Sequence, residues 1–337
     1  MSSRPAGNAR TIVITGGNAG LGYGCATALV SSADGPWHVV VASRNADRTR
    51  EAVDKLAGAT RAGHTAEAMS LDLASLTSVR AFAAALADRL ASGTIPPLQA
   101  LLCNAGVQAG TKQTRTADGF ESTFGVNHLG HFLLVNELLP VLRAPARVVV
   151  VASGVHDPAQ KAGVPVPAWN TAPALARGEL GPDAASDNAF VAGQRRYSTS
   201  KLANVYFTYA LARRLPHGAT ANAYDPGMIL GTGLQRSAPA PLRFAAKHVL
   251  PHAKAAGAPV PDGQGLHRRG VRSRAGLARD RPGTGGYHRR VLPPTPGHPF
   301  IGRFLRRRTR GSAMGRQPAA DRPTQLGVQP RYGGNRQ

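Results

Sequence analysis

"TIVITGGNAGLG" occupies residues 11–22, an apolar, β-branched run that breaks into glycines and leads into a helix-like segment. TIVIT suits a buried strand, because Val, Ile and Thr fit a pleated, packed surface. Glycines 16, 20 and 22 permit a tight turn and a close approach of the backbone to a ligand. Residues 20–32 then keep helical spacing, so the turn opens a helix whose first N–H groups face outward. Such an end attracts anions, and strand, glycine turn and helix in this order suit the pyrophosphate of a dinucleotide. A glycine-rich turn alone is weak evidence, since many merely turn a corner. The order of elements gives it weight.

Outward from that stretch the same alternation repeats. "WHVVVAS" (37–43), "AEAMSLDL" (66–73), "LQALLCNAG" (98–106), "ARVVVVAS" (146–153) and "ATANAYDPG" (219–227) read as further strands. Helical spacing covers 45–57, 75–91, about 117–142 and 197–215. Strands alternating with helices predict βαβ units and a parallel sheet covered on both faces. The expected fold is α/β, a doubly wound parallel sheet in three α/β/α layers, with ligands bound at the carboxyl ends of the strands. Residues 154–196 interrupt the alternation with Pro, Ala and Gly, and so long a loop reads as a cover over a substrate.

Composition divides the 337 residues unevenly. Residues 1–235 hold 20 Lys+Arg against 15 Asp+Glu, whereas 236–337 hold 21 against 3. Most of the +23 net charge therefore sits in the last third. That region has no sustained period and many breakers, so low order is expected there, with a flexible N-terminus over 1–9. A nonspecific polyanion-binding role for the basic region is one reading, carried by segments such as "RFLRRRTR". Its Arg, Pro, Gly and Ala bias also matches GC-rich DNA read out of frame, which makes a frameshift near 250 a second reading. Specific nucleic-acid recognition is not expected, because interleaved aromatics are few. No run of about 18 apolar residues predicts a membrane span. Two cysteines, Cys25 and Cys103, support neither a disulfide framework nor a metal cluster, and "MSSRPAGNAR" lacks a leader's apolar stretch. A soluble, cytoplasmic protein is expected.

Three spots carry chemistry. Tyr197 and Lys201 in "RRYSTSK" share one helical face at a spacing of four. A nearby cation lowers a tyrosine pKa from its usual value of about 10, which would suit proton transfer near neutral pH. An isolated Y-x-x-x-K is more often a surface stack, so the pair needs its context. At the end of the second strand stand Ser43 and Arg44 rather than an acid, which favours the 2′-phosphate of NADP(H) over the ribose of NAD(H). Asp72, at the end of the third strand, suits the adenine amino group; otherwise it caps the next helix, although Ser75 caps equally well.

Together these motifs resemble the short-chain dehydrogenase/reductase family over roughly residues 10–235. The chain carries T-G-x-x-x-G-x-G at Thr15–Gly22, N-A-G at Asn104–Gly106, Ser153 at a strand end, Y-x-x-x-K at Tyr197–Lys201 and P-G at Pro226–Gly227. "FGVNHLGHFLL" and "DPGMILGTGL" resemble the branch of protochlorophyllide reductases and retinol dehydrogenases. The resemblance implies a Rossmann-type domain over 10–235 that transfers hydride between NADP(H) and an apolar carbonyl or alcohol. Tyr197 would act as proton donor and acceptor, Lys201 would tune it and bind the nicotinamide ribose, and Ser153 would position the carbonyl oxygen. Asn127 would help anchor a relay water. Gly16, Asn18, Gly20, Leu21 and Gly22 would hold the pyrophosphate side, while Ser43, Arg44, Asp72, Leu73, Asn104, Ala105 and Gly106 would line the adenosine side. Pro226, Gly227 and Thr232 would approach the nicotinamide. Gly231 stands where many relatives carry that threonine, a departure that weakens the assignment of Thr232. A chain that binds cofactor without turning over is the alternative within this family.

Overall fold

Residues 9–108 and 110–227 are described by a computed structural model. Each apolar run becomes a strand: β1 Arg10–Thr15, β2 Trp37–Ser43, β3 Thr65–Ser70, β4 Leu98–Cys103, β5 Leu142–Val151 and β6 Ala219–Tyr224. Their order in the sheet is β3-β2-β1-β4-β5-β6, and every neighbouring pair is parallel. Parallel neighbours need crossovers, and helices supply them: α1 Gly20–Val30, α2 Ala46–Ala57, α3 Leu76–Ala91, α4 Ser122–Phe124, α5 Gly130–Leu138, α6 Ala172–Arg177 and α7 Ala189–Ala212.

The strand period of two splits each apolar run between two cores. Ile12, Ile14, Val39 and Val41 pack with Leu29 of α1 and Leu56 of α2 on one face. Val13, Val40, Val148 and Val150 pack with Phe82 of α3, Leu138 of α5 and Leu211 of α7 on the other. Because both faces are covered, the central strands β2, β1, β4 and β5 read as largely continuous apolar runs, whereas the edge strands β3 and β6 are only partly buried. Each such side chain contributes about 1.5–3 kcal/mol on burial.

Two helices depart from the spacing read in the sequence. The helix expected from about 117 starts at Ser122, because Glu121 turns its carboxylate onto the Thr123 and Phe124 N–H groups at 2.9 and 2.7 Å. A π turn, Gly125–Leu129, then joins α4 to α5. The helix expected from 197 starts at Ala189, where the Asn188 side chain accepts from the Phe190 and Val191 N–H groups. The interval 154–196 is therefore shorter as a loop than expected, and it contains α6 and several single turns. Thr232, the region 236–337 with its polyanion and frameshift readings, and the first eight residues lie outside the described residues. Among the described residues no helix is long and apolar enough to cross a membrane.

Candidate active site

β1 and β4 are neighbours, yet the chain leaves β1 toward β2 on one side and β4 toward β5 on the other. Their carboxyl ends flank the crevice expected at such a reversal. The glycine turn fills it. Gly16 and Gly20 have φ of +63° and +54°. A Cβ on Gly22 would stand 2.5 Å from the Gly16 carbonyl oxygen and 2.6 Å from Asn104 Nδ2. The Gly16 N–H donates to Ala42 O at 2.8 Å, and Asn104 Nδ2 donates to Thr15 O at 2.9 Å, so the turn is braced by β2 and β4. Asn45, Ser75 and Asn188 cap α2, α3 and α7, whereas α1 begins after Ala19 with no side-chain cap. Uncapped N–H groups above an open glycine backbone fit a pyrophosphate. Asn18 and Leu21 sit half-buried in the same turn.

The other nucleotide-side residues follow the ends of β2, β3 and β4. Ser43 Oγ bonds Thr49 Oγ1 inside α2, and the next residue, Arg44, is exposed. Asp72 Oδ1 accepts from the Ala74 N–H at 3.0 Å, while Ser75 performs the capping of α3 by accepting from Ser78 N at 3.2 Å. Asp72 is thus free of the cap role that competed with a ligand role. Leu73 is buried beneath it, and Asn104, Ala105 and Gly106 continue β4 toward the crevice.

On the far side, α7 supplies the tyrosine and the lysine. Lys201 is 3 % exposed, its Nζ donates to Val151 O at 2.9 Å, and it lies 5.5 Å from the centre of the Tyr197 ring. A Cβ on Gly106 would lie 3.4 Å from Asn127 Oδ1 and 3.8 Å from Lys201 Nζ, so the ends of β4, the π turn and α7 converge. The sequence predicts a lowered Tyr197 pKa, and the structure reverses that direction. Burial pushes the phenol up to about 12, and the Asp225 carboxylate adds to the rise. Burial also holds the Lys201 ammonium down to about 8, against the opposing pull of Asp225. Desolvation exceeds the attraction between the pair because both groups sit in the same packed wall.

Asn127 is fully buried, and its side chain is already committed. Oδ1 accepts from Val107 N at 2.7 Å, and Nδ2 donates to Val107 O at 2.9 Å and Ser200 Oγ at 3.0 Å. Ser153 follows β5 half-buried, and its carbonyl accepts from the His156 N–H at 3.1 Å. Pro226 and Gly227 follow β6, with the Gly227 N–H donating to Asp225 Oδ1 at 3.0 Å. Two residues absent from the sequence reading belong here. Asp225 packs its Oδ2 2.9 Å from the position of a Cβ on Gly154, beside Ser153. His131 lies between Thr15 and Asn127. An acid directly before P-G was the available signal for Asp225; a histidine four residues after Asn127 was the signal for His131.

The profile of the family described as short chain dehydrogenase matches residues 10–165. WW domain-containing oxidoreductase of Gallus gallus is 38% identical over 233 residues, covering 68% of this chain and 51% of that protein. Retinol dehydrogenase 14 of Mus musculus is 38% identical over 245 residues, 69% of this chain and 65% of its own length. Protochlorophyllide reductase B of Hordeum vulgare is 38% identical over 236 residues, 66% and 57% of the respective chains. The chain spans between about half and two thirds of the length of these relatives. The six-stranded order, the glycine turn at the reversal and the matched profile agree, and the chain belongs to the short-chain dehydrogenase family.

Proposed function

We propose that the chain is an oxidoreductase that interconverts a carbonyl and an alcohol with NADP(H), using Tyr197 as proton donor and acceptor. The convergence of Gly106, Asn127 and Lys201 on the turn of α7 that carries Tyr197 supports this reading most directly. The residues fit a nicotinamide dinucleotide: the uncapped α1 end and Gly16–Gly22 for the pyrophosphate, Asp72 and Asn104–Gly106 for the adenosine, Lys201 for the ribose. When bound, that group supplies or accepts the hydride. Arg44, exposed where an acid would select NAD(H), supports a preference for the 2′-phosphate.

With its pKa raised, the Tyr197 hydroxyl is protonated at neutral pH and donates to a carbonyl oxygen that Ser153 holds. Lys201, partly charged near its value of about 8, stabilises the phenolate that results. A water beside Lys201 and Asn127 would return the proton. The loop after Ser153 lines a cavity of about 270 Å³ with Val155, Pro158, Ala162, Val164 and Val166 beside the charged Asp157 and Lys161, a lining that would take a mainly apolar substrate with a polar end.

The test is reduction of a panel of short polar to long apolar aldehydes and ketones with NADPH. Tyr197→Phe removes one hydroxyl and should lower turnover by about 10²–10⁴ while leaving NADPH binding intact. Near-native turnover in that variant would sink the mechanism. Tight NADPH binding with no turnover across the panel would identify a cofactor-binding chain instead.

A further inference from the structure

One buried imidazole joins the glycine turn to the helix segment that carries Asn127. His131 and Thr15 are each 1 % exposed. His131 Nδ1 lies 3.1 Å from Asn127 O, and Nε2 lies 2.8 Å from Thr15 Oγ1. A carbonyl oxygen only accepts, so Nδ1 carries the proton. Nε2 of the neutral ring then offers a lone pair, and the Thr15 hydroxyl donates to it. The Thr15 oxygen accepts in turn from the Asn104 N–H at 2.9 Å and the Ala105 N–H at 3.0 Å. The other acceptor within reach of the hydroxyl, Leu102 O, is farther away at 3.4 Å.

The segment these contacts control is Asn104–Val107. Thr15 holds its start through two amides, and Asn127 holds its end through Val107 N and O. His131 ties the two holders to each other. We propose that neutral His131 is a positioning residue that locks the Asn104–Val107 segment for the dinucleotide, and that protonating its ring releases the lock. An imidazolium would turn Nε2 into a donor aimed at a Thr15 oxygen that already accepts two N–H groups, and one amide would lose its partner. Lys201 from α7 and His128 from the π turn face the ring, and both resist a positive charge there. The proposal rests on the nucleotide-binding part of the reading above and not on turnover.

The experiment measures NADP⁺ binding by titration calorimetry on the whole chain, at pH 7 and in steps from pH 6 to 4. His131→Leu should weaken binding by about ten- to a hundred-fold, because it removes the imidazole bridge and leaves the Thr15 hydroxyl only the longer contact to Leu102 O at 3.4 Å. His131→Gln should recover most of that loss, since its amide offers one donor and one acceptor. Wild-type affinity should fall more steeply toward pH 4 than that of His131→Gln, with titration of the cofactor phosphate common to both. Unchanged binding in a folded His131→Leu, or parallel acid profiles for wild type and His131→Gln, would overturn the proposal alone. If His131→Leu does not fold, the two acid profiles decide. A wild type that binds no NADP⁺ overturns the proposal together with the reading beneath it, whereas near-native turnover in Tyr197→Phe overturns only the catalytic reading.

Discussion

Tyr197 and Lys201 sit one turn apart, but they respond to different substitutions. Lys201→Ala removes the ammonium that lies 5.5 Å from the centre of the phenol ring and also the proposed ribose contact. It should lower turnover and weaken NADPH binding together, whereas Tyr197→Phe should lower turnover alone; separate measurements of kcat and NADPH affinity distinguish the two. Arg44 makes a different prediction. If it holds the 2′-phosphate, NADPH should bind more tightly than NADH, and Arg44→Ala should remove about ten- to a hundred-fold of that preference, the worth of a charged hydrogen bond. Equal affinities for both cofactors in the unmutated chain would refute it. The spacing of Tyr197 and Lys201 was legible in the sequence, as was the absence of an acid beside Arg44. The direction of the Tyr197 shift was not, because it depends on how much water the surrounding wall excludes.

At the scale of elements, α7 does more than present the tyrosine. Arg195 pairs with Asp187 at 2.6 and 2.9 Å and donates to Val166 O at 2.9 Å. Ser198 Oγ donates to Pro165 O at 2.8 Å, and Thr199 Oγ1 accepts from Ala168 N at 3.1 Å. Side chains on both sides of Tyr197 thus hold the loop between Pro165 and Ala168. Arg195→Met should loosen that loop at a cost of about 1.5–3 kcal/mol, the worth of a charge-assisted contact in this largely buried pair. Limited proteolysis should then cut faster near 158–170, and KM should rise more than kcat falls. Cleavage as slow as in wild type would show that the loop is held elsewhere. None of these contacts was visible in the sequence, since 165–168 and 195–199 are joined only by folding. The runs of the central strands β2, β1, β4 and β5 were visible, because burial on both faces makes them rich in Val, Ile and Leu.

Across the whole molecule, buried histidines make stability depend on pH. Burial lowers His128 and His131 from 6.5 to about 4. An unfolded chain takes up protons at both sites below 6.5, whereas the folded chain resists until about 4, so the stabilisation is complete above 6.5 and is lost as pH falls through that window. The loss is up to about 1.4 kcal/mol per pH unit per histidine. Urea midpoints should therefore drop between pH 7 and pH 4.5, and less steeply in His131→Gln than in wild type. Identical slopes would show that His131 contributes nothing to the acid loss.

The sequence by itself determined the parallel α/β sheet, the glycine turn at its reversal and the Tyr–Lys pair, because each is written in local spacing or in side-chain size. Tertiary structure alone decided the π turn at Gly125–Leu129, the early start of α7 at Ala189, and the meeting of Thr15 with His131. Thr15 and His131 are 116 residues apart, and their hydrogen bond exists only once β1, β4 and α5 pack. Local propensity acts over a few neighbours, whereas burial and the pairing of buried polar groups depend on the whole chain being folded.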